Sequence, residues 1–158
     1  MATITQIKKK VDVARKGIPQ ATDKIIKDNE QLIVDLVRKN QLFENGINGL
    51  GQNIGVYKYD YDTSDTFVQQ LGAFDPIGFP KKAGEPYNFY WSNGTYKGFT
   101  VKYANFELII FSTDNKFGEL VSTYGKEIFW MTDENQTILS ETIIRPGLLN
   151  YLKTIFKW

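Results

Sequence analysis

Residues 95–112, "TYKGFTVKYANFELIIFS", decide the fold class. Two runs rich in β-branched and aromatic residues, Thr95–Tyr103 and Phe106–Ser112, are split by Ala104-Asn105, and this pattern predicts an antiparallel hairpin. Phe99, Val101 and Tyr103 fall on one face by alternation. The second run is apolar on both faces around Leu108, Ile109, Ile110 and Phe111, as expected for a strand covered on each side.

On either side of the hairpin the periodicity is helical. Ile4, Ile7, Val11 and Ala14 predict a short helix over residues 4–16, interrupted by Gly17-Ile18-Pro19. A second helix starts at Pro19, a residue suited to a first helical turn, and carries Ile25, Ile26, Leu32, Ile33, Leu36 and Val37 in one stripe. Asn29 lies inside that stripe, so its amide needs a partner, either within the core or on another subunit. Asn45-Gly46 and Asn48-Gly49 stop the helix, since both residue types tolerate the left-handed conformation. Residues 46–88 then read as one long irregular excursion, of the kind that in a compact domain binds something. Beyond the hairpin, Lys116–Tyr124 is a short helix closed by Gly125. Thr132-Asp133 offers caps for the next helix, with Asp133 and Gln136 at capping-box spacing. That helix is expected to run to Arg145-Pro146-Gly147, with Leu148, Leu149, Leu152, Ile155 and Phe156 continuing an apolar stripe. The expected class is α+β: N-terminal helices, a long irregular loop, and an antiparallel β-hairpin or sheet packed with C-terminal helices. Residues 1–18 form an N-terminal helical arm and residues 19–158 a single α+β domain.

Composition removes several chemistries. The chain of 158 residues contains no Cys and no His, which excludes disulfides, thiol nucleophiles, thiolate metal sites and every triad that relies on imidazole. Its apolar runs are too short to span a bilayer, and the opening MATITQIKKK lacks the apolar stretch of a signal peptide, so no membrane association is expected. Formal charge is only +1 but unevenly spread: residues 1–41 carry nine Lys/Arg against five Asp/Glu, and residues 42–80 carry Lys58 against Glu44, Asp60, Asp62, Asp65 and Asp75. Segregated signs can steer one copy onto another or each onto separate partners, an ordinary solvated surface accounts for them equally well, and neither segment is basic enough to argue for nucleic acid alone.

The remaining motifs fail on spacing or context. Gly49-x-Gly51-x-x-x-Gly55 follows a helix and leads into β-type residues, the reverse of the strand-to-helix order a dinucleotide loop needs. Asp60-x-Asp62-x-x-Asp65 lacks the turn glycine and the twelfth-position glutamate of a calcium loop, where Leu71 stands. Asp133-Glu134 are adjacent on a helix and point apart, so they do not form an acid–base pair. No catalytic, cofactor-binding or metal-ligating residue is assigned. Lys8-Lys9-Lys10 reads as a solvated helix face, or as a contact to DNA phosphates or an acidic partner.

Three stretches carry a resemblance: "IIKDNEQLIVDLVRKNQLFENGIN", "NGTYKGFTVKYANFELIIFSTDNKFGELVSTYGKEIFWMTDEN" and "IIRPGLLNYLK". Together they resemble small virion proteins of Bacteroidetes phages and prophages, in the class of tail-completion and head–tail connector (neck) proteins. Trp130 departs from the pattern, standing where family members commonly carry Gly after the Ile-Phe pair, and residues 63–88 match poorly. The resemblance implies a non-enzymatic subunit of a homo-oligomeric ring between capsid portal and tail. Its partners would be portal, neck or tail proteins, with possible non-specific contact to packaged DNA, in a virion assembled in the bacterial cytoplasm. Interface energy in such a subunit comes chiefly from aromatic anchors. Tyr57, Tyr59, Phe67, Phe74, Phe79, Tyr87, Tyr90 and Trp91 are the candidates. Two rivals use the same residues differently: a monomeric binding or regulatory module acting through the aromatic loop 46–91, and a hydrolase working through paired carboxylates.

Overall fold

The computed structural model describes residues 3–70, 76–91 and 93–157, with every side chain among them except that of Phe67. Its architecture is α+β, with N-terminal helices, a loop, a two-stranded antiparallel sheet and C-terminal helices.

Helix α1 (Ile4–Asp28) opens with a reciprocal cap. The Thr3 hydroxyl accepts from the Gln6 amide at 3.3 Å and the Gln6 side chain accepts from the Thr3 amide at 2.9 Å. The break expected at Gly17-Ile18-Pro19 does not occur, and the two expected helices are one. Pro19 costs the helix the bond to the Arg15 carbonyl and crowds that carbonyl with its ring, about 3 kcal/mol in a helix interior, at a residue on the exposed side of α1. Packing then outweighs propensity, because the C-terminal helix α7 (Arg145–Phe156) lies antiparallel along α1. The Tyr151 hydroxyl sits over Gly17 and donates to the Ala14 carbonyl at 3.4 Å. Further along, Gly147 meets Ile25 so closely that a Cβ would stand 2.7 Å from Ile25 Cδ1.

The helical run breaks instead at Asn29, whose φ of −121° leaves the helix. Its side-chain amide donates back to the Ile25 carbonyl at 2.8 Å, so the partner required by this position is local. Helix α2 (Glu30–Asp35) follows and widens into a π-helical stretch, Leu36–Asn45, which Gly46 ends in the left-handed conformation at φ 60°, and the short helix α3 (Thr66–Gln70) lies within the loop region that comes next. Two amide side chains lock this stretch to the C-terminal half. Fully buried Gln41 donates to the Trp130 carbonyl at 2.8 Å and accepts from the Thr132 amide at 3.1 Å. Asn135 donates to the Leu36 carbonyl at 2.8 Å.

The hairpin forms from β1 (Phe99–Ala104) and β2 (Glu107–Ser112), in register from Phe99↔Ser112 to Ala104↔Glu107. Asn105 and Phe106 both take positive φ, 52° and 65°, as the type I′ turn of a two-residue hairpin requires. The first strand is shorter than expected, because residues 94–97 form a helical turn, α4 (Gly94–Lys97), that rotates Tyr96 into the core. The Glu30 carboxylate covers the outer edge of β1 by accepting from the Val101 amide at 3.2 Å and from the Thr100 hydroxyl. Among the described residues no strand pairs with the outer edge of β2, and Ile109 is 45% exposed. The expectation of a strand covered on both sides is therefore wrong: only the face carrying Leu108 and Ile110 packs against the core.

Helix α5 (Phe117–Tyr124) ends at Gly125 as expected, and Lys126–Phe129 makes a 3-10 turn. Thr132, not Asp133, caps α6 (Asp133–Leu139): its hydroxyl accepts from the Asn135 amide, while Gln136 reaches back to the Met131 carbonyl. A π-helical stretch, Ser140–Ile144, joins α6 directly to α7, and its wider turns accommodate the Pro146 ring, which would clash in a regular helix. The core gathers Ile26, Ile33, Val34, Val37 and Leu42 from the N-terminal helices with Tyr90, Tyr96, Phe99, Ile128 and Phe129.

Replacing Gln41 with Leu leaves the Trp130 carbonyl and the Thr132 amide without their partner. At about 1–3 kcal/mol for a buried polar group left unpaired, Gln41→Leu should lose at least about 2 kcal/mol of unfolding free energy in a urea titration. An unchanged midpoint would show that the clamp contributes nothing.

Candidate functional site

The excursion over residues 46–88 is less irregular than its composition suggests. Segment 53–61 runs antiparallel to segment 81–87, joined by isolated bridges at Val56↔Pro86 and Tyr61↔Lys81. Tyr61 and Lys81 exchange both amide–carbonyl bonds at 2.6 Å, and Tyr57 receives from Gly84 and donates to Glu85, each at 2.9 Å. Pro86 has no amide hydrogen and Gly84 is left-handed at φ 86°, so the ribbon never becomes a regular ladder. Two of the glycines that suggested a nucleotide loop, Gly49 and Gly55, serve packing, and Gly51 serves a turn at φ 73° with open space around it. The Gly49 amide donates to the Glu127 carbonyl at 2.7 Å, and a Cβ there would lie 2.6 Å from the Trp130 carbonyl oxygen. Trp130 itself is extended, at φ −76°, and its backbone needs no glycine.

The ribbon, the α4 region and α5 enclose a cleft of about 470 Å³. Tyr57, Tyr59 and Tyr61 alternate along one ribbon segment and all line it, together with Tyr87, Phe89, Trp91 and Tyr124. The rings form a network of edge-to-face contacts. Tyr57 meets Tyr87 at 4.9 Å between centroids, Phe89 meets Tyr124 at 4.8 Å, and Tyr61 meets Trp91 at 6.1 Å. Lys58, Lys116, Asn93 and Glu119 supply the polar part of the lining. Among the described residues Glu119 is the single carboxylate lining it, so no pair of carboxyl groups of the kind a hydrolase needs is described in this cleft.

Behind the cleft wall lies a buried cation. Lys81 is 1% exposed, and its ammonium donates to Asn88 Oδ1 at 2.7 Å while standing 4.9 Å from the Tyr57 ring centroid and 5.2 Å from that of Phe79. Asn88 is a hub: the same oxygen accepts from the Tyr57 hydroxyl at 3.1 Å and the Tyr90 amide at 3.0 Å, and the Asn88 carbonyl accepts from the Tyr96 hydroxyl. Burial pushes Lys81 down to about 8 from its ordinary 10.5, with Glu85 opposing the shift. Burial pushes the Tyr57 hydroxyl up to about 12 and raises Tyr96 and Tyr124 as well.

The expected anchors therefore separate. Tyr57, Tyr59, Tyr87 and Trp91 come together in the cleft, with Tyr59 68% exposed. Phe79 packs behind Trp91 at 5.1 Å, and Tyr90 is a core residue, buried against Phe43 and Tyr96. The Phe67 side chain and Phe74 lie outside the described residues. Tyr61, Phe89 and Tyr124 were missed as candidates, although the alternation of Tyr57, Tyr59 and Tyr61 carried a signal for the first. No local pattern marks Lys81 or Asn88.

The acidic stretch is used locally. Asp60 accepts from the Ala83 amide and from Lys82, and Asp62 accepts from the Ser64 amide and hydroxyl. These bonds hold both carboxyls below the usual range. Among the described residues no group of three or more acidic side chains stands close enough together to hold a metal ion, and no helix is long and apolar enough to cross a membrane. Lys8 and Lys9 are exposed, whereas Lys10 reaches the Phe156 carbonyl at the end of α7 at 3.5 Å. Comparison with protein-family models, curated proteins and solved structures finds no match for this chain.

Lys81 and the tyrosines set opposite pH slopes. Between about pH 8 and the ordinary 10.5 the unfolded chain binds more protons at Lys81 than the folded one, so stability rises with pH there. Tyr57 has the reverse sign: stability falls between its ordinary 10.0 and about 12. Thermal unfolding across this range should show a maximum near pH 10, and Lys81→Met should flatten its rising limb; an identical limb in the variant would contradict the assignment.

Proposed function

We propose that this chain is a structural subunit of a phage particle, built into a connector, neck or tail-completion ring at the head–tail junction, and that it works by protein contact. The observation that carries the reading is the cleft itself. Seven aromatic side chains, several partly exposed, line it in a network of edge-to-face contacts, and one of them, Tyr57, is tied to the Asn88 hub. Large, rigid apolar area with a few polar groups is what protein interfaces use as anchors. The resemblance of three stretches of the chain to virion proteins supports the same role. Portal, neck or tail proteins and further copies of the chain are the proposed partners, and the virion, assembled in the bacterial cytoplasm, the proposed location.

The test mixes the purified chain with the portal and tail proteins of its phage and measures assembly by mass photometry and negative-stain imaging. Rings or recruitment onto a partner ring are expected. Tyr59→Ala and Trp91→Ala should weaken recruitment by about tenfold or more, with Tyr59→Ala leaving the melting temperature unchanged. A chain that stays monomeric with every virion partner, yet binds another protein through the same aromatics, would overturn the ring and favour the monomeric module.

A further inference from the structure

The N-terminal turns of α1 present an apolar seam that the rest of the described chain does not cover. Ile4, Ile7 and Val11 recur at the spacing of the core positions of a heptad, and they are 87%, 47% and 49% exposed. Ala14 continues the seam but is buried where Tyr151 of α7 closes over it. Helix α7 ends beside Lys10, so the first two turns of α1 project beyond it. Within the projecting turns, residues 4–11, only the core positions of the repeat are apolar, while Val13, one turn on and 51% exposed, lines the groove toward α7. A seam this narrow matches the knobs-into-holes contact of two helices rather than the broad apolar face of a membrane-surface helix.

Charge states which helix fits. In the same heptad frame Lys8 and Arg15 occupy the flanking position on one side of the seam and Lys10 that on the other. Between Ile4 and Lys16 there are five basic residues and one acidic residue, Asp12, which lies away from the seam. Flanking charges select partners in coiled coils, and like charges facing each other are destabilising. A second copy of α1 would set lysine and arginine against themselves. From this we infer that the arm is a docking site for an amphipathic helix of another protein, one with an apolar heptad seam and Asp or Glu at its flanking positions. The inference does not depend on the ring reading, because it concerns a different surface and a different class of contact.

The test uses the full chain and two synthetic three-heptad peptides with identical Ile/Leu seams, one with Glu and one with Lys at the flanking positions. Fluorescence anisotropy should show the Glu peptide binding about tenfold or more tightly than the Lys peptide, with the difference shrinking as salt is raised. Ile7→Asp and Val11→Asp, at half-exposed positions, should each reduce binding about tenfold or more with the circular dichroism spectrum unchanged, while Asp12→Asn should not reduce it. Hydrogen exchange should slow over residues 4–14 when the Glu peptide is added. Equal binding of both peptides would overturn the inference. So would self-association of the chain alone that Val11→Asp abolishes, or binding to phosphatidylglycerol vesicles or duplex DNA tighter than to the Glu peptide.

Discussion

The buried amide of Gln41 joins the two halves of this molecule. A side chain with both a donor and an acceptor, removed from water, needs both answered. It finds them on the backbone at Trp130 and Thr132, far along the chain. The Thr132 amide it holds belongs to the cap of α6, so this one contact sets where the C-terminal helical run begins. Asn135, one turn into α6, returns the link by satisfying the Leu36 carbonyl. Hydrophobic burial supplies most of the favourable energy of such a core but has no direction. These paired amides supply direction.

A second constraint is close backbone approach. Gly147 against Ile25 and Gly17 against Tyr151 let α1 and α7 lie side by side over much of their length. The contact keeps α1 continuous through a proline and leaves its first turns projecting. The exposed seam of the arm is thus a consequence of where α7 stops.

The aromatic cleft depends on a different device. The ribbon that builds its floor has few regular ladder bonds, and it is pinned instead by the side chain of Asn88 and the ammonium of Lys81 beneath two ring faces. An unpaired buried lysine is unfavourable in isolation. Here the carbonyl oxygen and the ring quadrupoles partly replace its hydration, and the residual penalty appears as its lowered proton affinity. A rigid wall of tyrosines over a buried cation is suited to binding without rearrangement, which lowers the entropic cost of contact.

Local chemistry in the sequence determined a good deal on its own. The α+β class, the hairpin, the glycine stops at Gly46 and Gly125 and the alternation that brings Tyr57 and Tyr59 to one surface all follow from periodicity and from backbone freedom at single residues. Tertiary structure decided the rest. It carried α1 through Pro19 and α7 past Pro146, turned Tyr90 and Tyr96 inward, and placed Lys81 under Tyr57. The physical reason is that propensities are worth a fraction of a kcal/mol to about 3 kcal/mol per residue, and a packed helix face or a satisfied buried amide outweighs them. Those compensating groups lie far away along the chain, where no local pattern records them.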